Sequence, residues 1–232
     1  MGPKDFEVLK DYDPKLQNSV DLGTFAVIAR PLLVIIETFR EWSGNYGIAI
    51  IMLTIVLKML FYPLMRASSK SMHKMKQLNP QMTALKEKFK DDKPKQQQEL
   101  MKFMAANKIN PMKGCLPMLP QIPVFFAFYR VLQTSIQLRH APFYGWIQDL
   151  SHMDPYFVTP ILMGVAMLVQ QRLTPTTGMD KTQEKIMMFM PVMFTVMMVT
   201  LPAGLTLYML TNTTVGILQQ RWLYHRLDKT NG

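Results

Sequence analysis

One basic side chain lies inside a long apolar stretch of this sequence. Residues 48–64 read IAIIMLTIVLKMLFYPL, and Lys58 is well inside the run. A cation in hydrocarbon costs a few kcal/mol, so such a lysine predicts a functional position. Thr54 lies one helical turn earlier on the same face. The stem of Lys58 could also extend past Met65 to the lipid headgroups, so this stretch alone leaves both interpretations open.

The composition places most of the chain in lipid. Hydrophobic residues make up 49% and charged residues 18%, and the apolar residues come in blocks. The net charge of +10 is concentrated between the first two blocks, which indicates a topology signal. A basic folded module with base-stacking aromatics is missing, which argues against nucleic-acid binding. The single cysteine, Cys115, excludes an internal disulfide.

Two segments precede the basic region. In residues 24–41 apolar side chains recur every three to four positions and charged ones fill the other face, which predicts an amphipathic helix lying in the outer membrane interface. Residues 42–66 follow as the first span, and we predict one continuous helix over 48–65.

Residues 67–110 are strongly basic and predict a helical hairpin in water. Apolar residues step at helical spacing on both sides of a turn signal at 90–94. Packing of one apolar stripe on the other and a docking groove both remain open as explanations of these stripes. The lysines of this positive-inside loop include Lys74, Lys86, Lys88 and Lys95.

Residues 111–220 contain four more apolar blocks, at 116–137, 156–171, 186–200 and 205–219, and a basic tail covers 221–232. Five spans with an inner basic hairpin place the N-terminus outside and the C-terminus inside. Two blocks are shorter than a bilayer core of about 30 Å requires, which predicts a locally thinned membrane unless the boundaries extend by a few residues.

Polar and soft side chains inside these blocks are further candidates for substrate contact. Gln121 lies in the second span and Asn212 in the fifth, where such residues more commonly join helices by hydrogen bonds. The fourth span is rich in methionine, including Met190 and Met197. Methionine repacks around varied partners, although plain core filling is the more common role.

The residues needed for catalysis are not grouped. The four histidines are scattered over loops and ends, and neither a nucleophile turn nor a glycine-rich phosphate loop is present. The predicted spans carry no acidic residue, which argues against a proton relay. We therefore expect neither an enzyme nor a cofactor or metal.

Short motifs resemble those of the YidC insertases of bacteria and their mitochondrial and chloroplast relatives. They run in unbroken order: YPL at 62–64, NPMKGC at 110–115, APF at 141–143, WIQDLS at 146–151, DPY at 154–156, PTT at 175–177, KIMMFMP at 185–191 and GLTLY at 204–208. The resemblance implies an all-α fold of five spans around a hydrophilic groove that is open to cytoplasm and lipid. It also makes residues 1–23 the remnant of a periplasmic segment.

The resemblance also implies roles for individual residues. Lys58, Thr54 and Gln121 match groove-lining positions, and Tyr208 and Met209 are further groove candidates. Lysine replaces the usual arginine at 58, which keeps the charge but loses the bidentate fork. Methionine replaces a frequent aromatic at 209, so an aromatic contact there is not expected.

The implied function is insertion and folding of nascent proteins in the bacterial inner membrane. The expected partners are nascent chains, lipids, the Sec translocon, and the ribosome with the signal recognition pathway, and the chain is expected to act as a monomer. The alternative is a small anion-selective channel or carrier in which Lys58 selects the solute. A third alternative is a chaperone or assembly factor that only holds helices together, and it overlaps with the first interpretation.

Overall fold

The computed structural model describes residues 26–90, 92–107, 109, 111–114, 116–174 and 181–231. Within these ranges the chain forms nine α-helices and no strand, so the predicted all-α class is confirmed. The predicted remnant 1–23 and the PTT motif lie outside the described residues. The helices are α1 (Ala26–Ser43), α2 (Tyr46–Leu60), α3 (Tyr62–Gln77), α4 (Asn79–Lys88), α5 (Lys93–Ala106), α6 (Met118–Thr134), α7 (Val158–Leu173), α8 (Lys181–Val199) and α9 (Ala203–Asn231).

Helix α1 forms where the amphipathic pattern predicted a helix. Its apolar face is buried through residues such as Leu32 and Ile36, while Trp42 on the other side is 78% exposed. The chain then turns, and Asn45 starts α2 by accepting hydrogen bonds on Oδ1 from the backbone N–H groups of Gly47 (2.8 Å) and Ile48 (3.3 Å). The position of α1 in an outer interface stays a prediction.

The first predicted span is not one straight helix. Helix α2 ends at Leu60 and α3 begins at Tyr62, and their axes differ by 63°. The prediction of a continuous helix over 48–65 is therefore wrong. Pro63 lies in the first turn of α3, where its missing N–H is tolerated, whereas inside a continuous helix it would remove one hydrogen bond and clash with the preceding turn.

Length and composition alone single out no helix as a complete membrane span within the described ranges. Helices α2 and α3 meet the length and hydropathy requirement only when taken together across their bend. Helix α7 and residues Lys185–Val199 of α8 are apolar but shorter.

The main core joins α1, α2, α6, α7, α8 and α9. Its largest fully buried side chains include Leu53, Phe128, Met163 and Tyr208. Residues 135–157 connect α6 to α7 and cover one end of this core, which we call the loop end. Ile147 and Leu150 are buried there.

This connection also determines where α9 begins. The backbone N–H of Ala203 donates to the carbonyl of His152 at 2.7 Å, and that of Gly204 donates to the carbonyl of Leu150 at 2.8 Å. The first amides of a helix have no partner within the helix, so these carbonyls satisfy two of them.

The predicted hairpin region 67–110 consists of the second half of α3 followed by α4 and α5, and we call the side of the molecule that bears them the hairpin end. A second buried cluster lies here, made by Met82 of α4, Leu100 of α5, Met75 near the end of α3 and Ile109 just after α5. The apolar stripes of the hairpin helices thus pack against one another, which favours the packing explanation over a docking groove. Lys74, Lys88 and Lys95 are exposed, and Lys86 is half-buried.

The last turns of α9 pack on α3 near the hairpin end. Nε2 of the buried His73 lies 2.8 Å from Oδ1 of Asp228, and the His73 ring lies 5.3 Å from that of Tyr224. Helix α9 therefore links the loop end to the root of the hairpin.

Candidate functional site

A cavity lies where α2 bends into α3. Helices α2, α3, α6 and α9 and the residues next to them surround it, and the space open to the centres of water molecules is about 30 Å³. One water needs at least about 10–15 Å³ on this measure, so the cavity has room for about two. Its lining residues are Leu57, Lys58, Phe61, Leu64, Met65, Pro117, Pro120, Gln121, Val124, Tyr208, Asn212 and Gln219.

Lys58 supplies a positive charge to this cavity from the last turn of α2. A Cβ placed on Gly216 of α9 would lie 3.3 Å from Lys58 Nζ and 3.4 Å from Gln170 Nε2. The ammonium therefore rests against α9 at a position where the chain carries no side chain. In the described part of the chain Nζ takes part in no hydrogen bond or ion pair, so its donors are available to a ligand.

Gln121 and Tyr208 join α6 to α9 across the cavity. Gln121 Nε2 donates a hydrogen bond of 2.7 Å to Tyr208 Oη. The Tyr208 ring is buried and lies 4.9 Å from the ring of Phe128. A buried phenol commonly finds a polar partner, and here Gln121 is that partner. This pair is a polar wall of the cavity and also a fixed link between two helices.

One face of α9 supplies the remaining polar residues. Asn212, Gly216 and Gln219 are spaced by four and three residues, so they share a helical face. Gln219 Nε2 lies 3.5 Å from the Lys58 backbone carbonyl oxygen. Sequence reasoning did not identify Gly216 and Gln219, although this spacing was a signal that could have done so.

The structure brings together only some of the predicted site residues. Lys58, Gln121, Tyr208 and Asn212 line the same cavity. Thr54 is only 1% exposed, and its hydroxyl donates to the Ile50 carbonyl at 2.7 Å. It does not line the cavity, because α2 is packed into the core one turn before Lys58.

The methionines predicted to contact substrate lie elsewhere. Met209 is buried in the main core. Met190 and Met197 are 42% and 47% exposed on α8, outside the cavity. Their roles stay predictions, as do those of the hairpin lysines.

The loop end carries a separate polar cluster around Asp149. Nδ1 of His140 and Nδ1 of His152 lie 3.0 and 2.8 Å from Asp149 Oδ2. The hydroxyl and the backbone N–H of Ser151 both donate to Oδ1. Burial raises the pKa of Asp149, but the hydrogen bonds from Ser151, His152 and the His140 amide outweigh it and hold the pKa at about 2. This carboxylate therefore ties residues 140–152 together. Among the described residues no group of three or more His, Cys, Asp or Glu has the arrangement of a metal site.

Comparison with known proteins places this architecture in a family. The family model described as "60Kd inner membrane protein" matches residues 38–230. Proteins named "Membrane protein insertase YidC" are 50% identical over 222 residues in Geobacter sulfurreducens and 52% identical over 222 residues in Geotalea daltonii, in each case over 96% of this chain and 42% of the relative. The protein of that name in Nitratidesulfovibrio vulgaris is 49% identical over 97% of this chain and 43% of the relative.

A solved structure shows the same fold. It is described as "Active YidC insertase crystal structure with the first transmembrane domain resolved", and it matches with a TM-score of 0.71 and 27% identity over 93% of this chain and 50% of that chain. The present chain spans about two-fifths of the length of the curated relatives it matches. The chain belongs to the 60Kd inner membrane protein family, and the predicted relationship to the YidC insertases is confirmed.

Proposed function

We propose that this chain is the core of an insertase that moves nascent proteins into the bacterial inner membrane. The observation that carries the proposal is a lysine, accompanied by three amide side chains and a tyrosine, in a small cavity whose lining is otherwise apolar, inside an apolar helix bundle. Lys58 provides charge there, and Gln121 and Asn212 provide neutral hydrogen-bonding groups. The names of relatives about 50% identical to this chain support the same function.

In this proposal the cavity lowers the barrier for a polar segment that must enter the membrane. A polar group without a hydrogen-bond partner in hydrocarbon costs several kcal/mol, and the cavity side chains replace part of its hydration. Lys58 also attracts acidic residues of the segment, because an ion pair gains strength where the dielectric is low.

The apolar part of the substrate then moves into lipid beside the bundle. Helices α7 and α8 expose large apolar side chains, among them Ile161, Val165, Phe189 and Met193. Met190 and Met197 extend this surface, so we assign them to contact with the passing segment. Burial of about 20 apolar residues in the bilayer drives the final step, without a nucleotide or a metal.

The loop end supports an insertase over the alternative of an anion channel. Buried Ile147 and Leu150 cover that end, and the loop carbonyls bond the first amides of α9. A cavity that is closed on one side suits a substrate that leaves sideways, whereas a channel requires two open sides. We place the loop end outside and the hairpin end in the cytoplasm.

The exposed lysines of the hairpin suit a receiving surface for nascent chains and for anionic lipid. Lys74, Lys88 and Lys95 lie on this surface, with Lys86 half-buried beside them. The ribosome, the signal recognition pathway and the Sec translocon are the partners we propose for this side, with the chain itself working as a monomer.

The test uses the purified protein in liposomes and two substrates that differ only in an acidic or a neutral polar tail. Lys58→Arg should insert the acidic-tailed substrate within about twofold of wild type, since the charge is kept. Lys58→Glu should reduce that insertion at least about tenfold, because attraction becomes repulsion of more than about 1.4 kcal/mol. Lys229→Glu is the control, because Lys229 is an exposed lysine of α9 outside the cavity and outside the hairpin.

Normal insertion of the acidic-tailed substrate by Lys58→Glu would refute the electrostatic step. A photo-crosslinker at Asn212 should also capture a stalled nascent chain, whereas one at exposed Trp42 should not. Anion flux through the same liposomes without any crosslink from Asn212 would favour the channel instead.

A further inference from the structure

A buried hydrogen-bond acceptor in the cavity wall has no partner. Oε1 of Gln219 is shielded from solvent and accepts no hydrogen bond from any described residue. The other end of the carboxamide, Nε2, faces the Lys58 carbonyl oxygen at 3.5 Å. Exchanging the two ends would bring two acceptors together, so the hydrogen-bonding environment fixes this orientation. An unpaired buried acceptor is unfavourable, which makes it a strong candidate for ligand binding.

The same wall carries a donor that is equally without a partner. Nζ of Lys58 rests against Gly216, which lies three residues before Gln219 on the same face of α9. An ammonium group has three donors and no acceptor, while Oε1 can only accept. The two residues therefore present a donor and an acceptor to one small space.

This pairing distinguishes between kinds of ligand. A carboxylate would satisfy Lys58 but would bring a second acceptor towards Gln219 Oε1. A carboxamide satisfies both, because its C=O accepts from Nζ and its N–H donates to Oε1. The cavity has about 30 Å³ open to water centres, which suits one such group better than a larger one.

We propose that Lys58 and Gln219 together bind a neutral side-chain carboxamide of the entering chain, from an Asn or a Gln. The site therefore accepts uncharged polar segments in addition to acidic ones. This inference rests on the proposed insertase function and names a further class of substrate for the same cavity.

The experiment measures the ratio of insertion of two substrates with the same apolar segment, one with an Asn/Gln/Ser tail and one with an Asp-containing tail. Gln219→Met keeps the length of the side chain but removes the acceptor, and should lower the neutral-to-acidic ratio about fivefold, the effect of one hydrogen bond. Gln219→Glu provides a carboxylate that pairs with Lys58, so it should raise the ratio by reducing insertion of the acidic tail more than that of the neutral tail.

A second variant and a control complete the design. Gln219→Asn keeps the carboxamide but withdraws it by one methylene, and should lower the ratio in the same direction as Gln219→Met. Gln133→Met is the matched control, because Gln133 is an exposed glutamine of α6 outside the cavity, and it should leave the ratio unchanged.

An unchanged ratio in both Gln219→Met and Gln219→Asn would overturn the inference while leaving the insertase function intact. If wild-type protein inserts neither substrate above protein-free liposomes, the proposed function fails, and the inference fails with it.

Discussion

Two glycines on neighbouring helices predict opposite effects of the same substitution. A Cβ added to Gly164 of α7 would clash with Thr195 Oγ1 and would lie 3.1 Å from its Cγ2 and 3.3 Å from its Cβ. Rotation of Thr195 gives no relief, because all three of its side-chain atoms are too close and its hydroxyl is bonded to the Pro191 carbonyl at 2.7 Å. Gly164→Ala therefore forces α7 and α8 apart, and overpacking of this kind costs about 1–3 kcal/mol, against a gain in helix propensity of up to about 1 kcal/mol.

Gly216 differs because its neighbours are flexible. An added Cβ would lie 3.3 Å from Lys58 Nζ and 3.4 Å from Gln170 Nε2, which are the far ends of long side chains. Replacing glycine by alanine inside a helix gains up to about 1 kcal/mol of helix propensity. Gly216→Ala should therefore be neutral or stabilising while it displaces the Lys58 ammonium by a few tenths of an ångström.

Thermal unfolding of both variants in one detergent tests this reasoning. At about 2–4 °C per kcal/mol for a chain of this size, Gly164→Ala should lower Tm by up to about 12 °C, and Gly216→Ala should change it by between about 0 and +4 °C. Thr195→Ala combined with Gly164→Ala should recover most of the loss, since it removes the two closest atoms. A Gly164→Ala protein at least as stable as Gly216→Ala, or a Gly216→Ala protein less stable than wild type, would refute the steric argument.

Two further predictions concern the polar contacts. In a double-mutant cycle of Tyr208→Phe and Gln121→Leu, thermal unfolding should give a coupling energy of about 1 kcal/mol from their 2.7 Å hydrogen bond, and strictly additive single effects would contradict that link. The folded-state pKa of Asp149, about 2, lies below the unfolded value of about 4, so its stabilisation is present above pH 4 and disappears as the pH falls through 2. The difference in Tm between wild type and Asp149→Asn should therefore shrink over this range, and a difference that stays constant from pH 6 to pH 2 would rule out this role.

The sequence predicted the positions of the helices and the presence of Lys58 in an apolar segment better than it predicted how the helices bend and pack. Hydrophobic blocks located α6, α7 and α8 to within a few residues, because burial in lipid or core imposes long apolar runs. The bend at Phe61 was missed although Pro63 marked it, because an apolar run gives the same signal on both sides of a break.

The residues that line the cavity could be predicted only in part from the sequence, for a similar physical reason. Thr54 and Lys58 share a helical face, yet only Lys58 reaches the cavity, because a face is buried to different depths along its length. Gln219 is at the edge of an apolar block, where a glutamine is typical of the end of a membrane span. Only the packing of α9 against α2 shows that its acceptor is buried.

The attachment of α9 at the loop end has a mechanical consequence. Its first amides are held by two loop carbonyls, while its other end is joined to α3 through Asp228 and His73. A helix of 29 residues is about 43 Å long, so a tilt of about 5° at the fixed end moves the far end by about 4 Å. A small rotation of α9 about its loop end would therefore change the width of the cavity part-way along the helix and would move the root of the hairpin most.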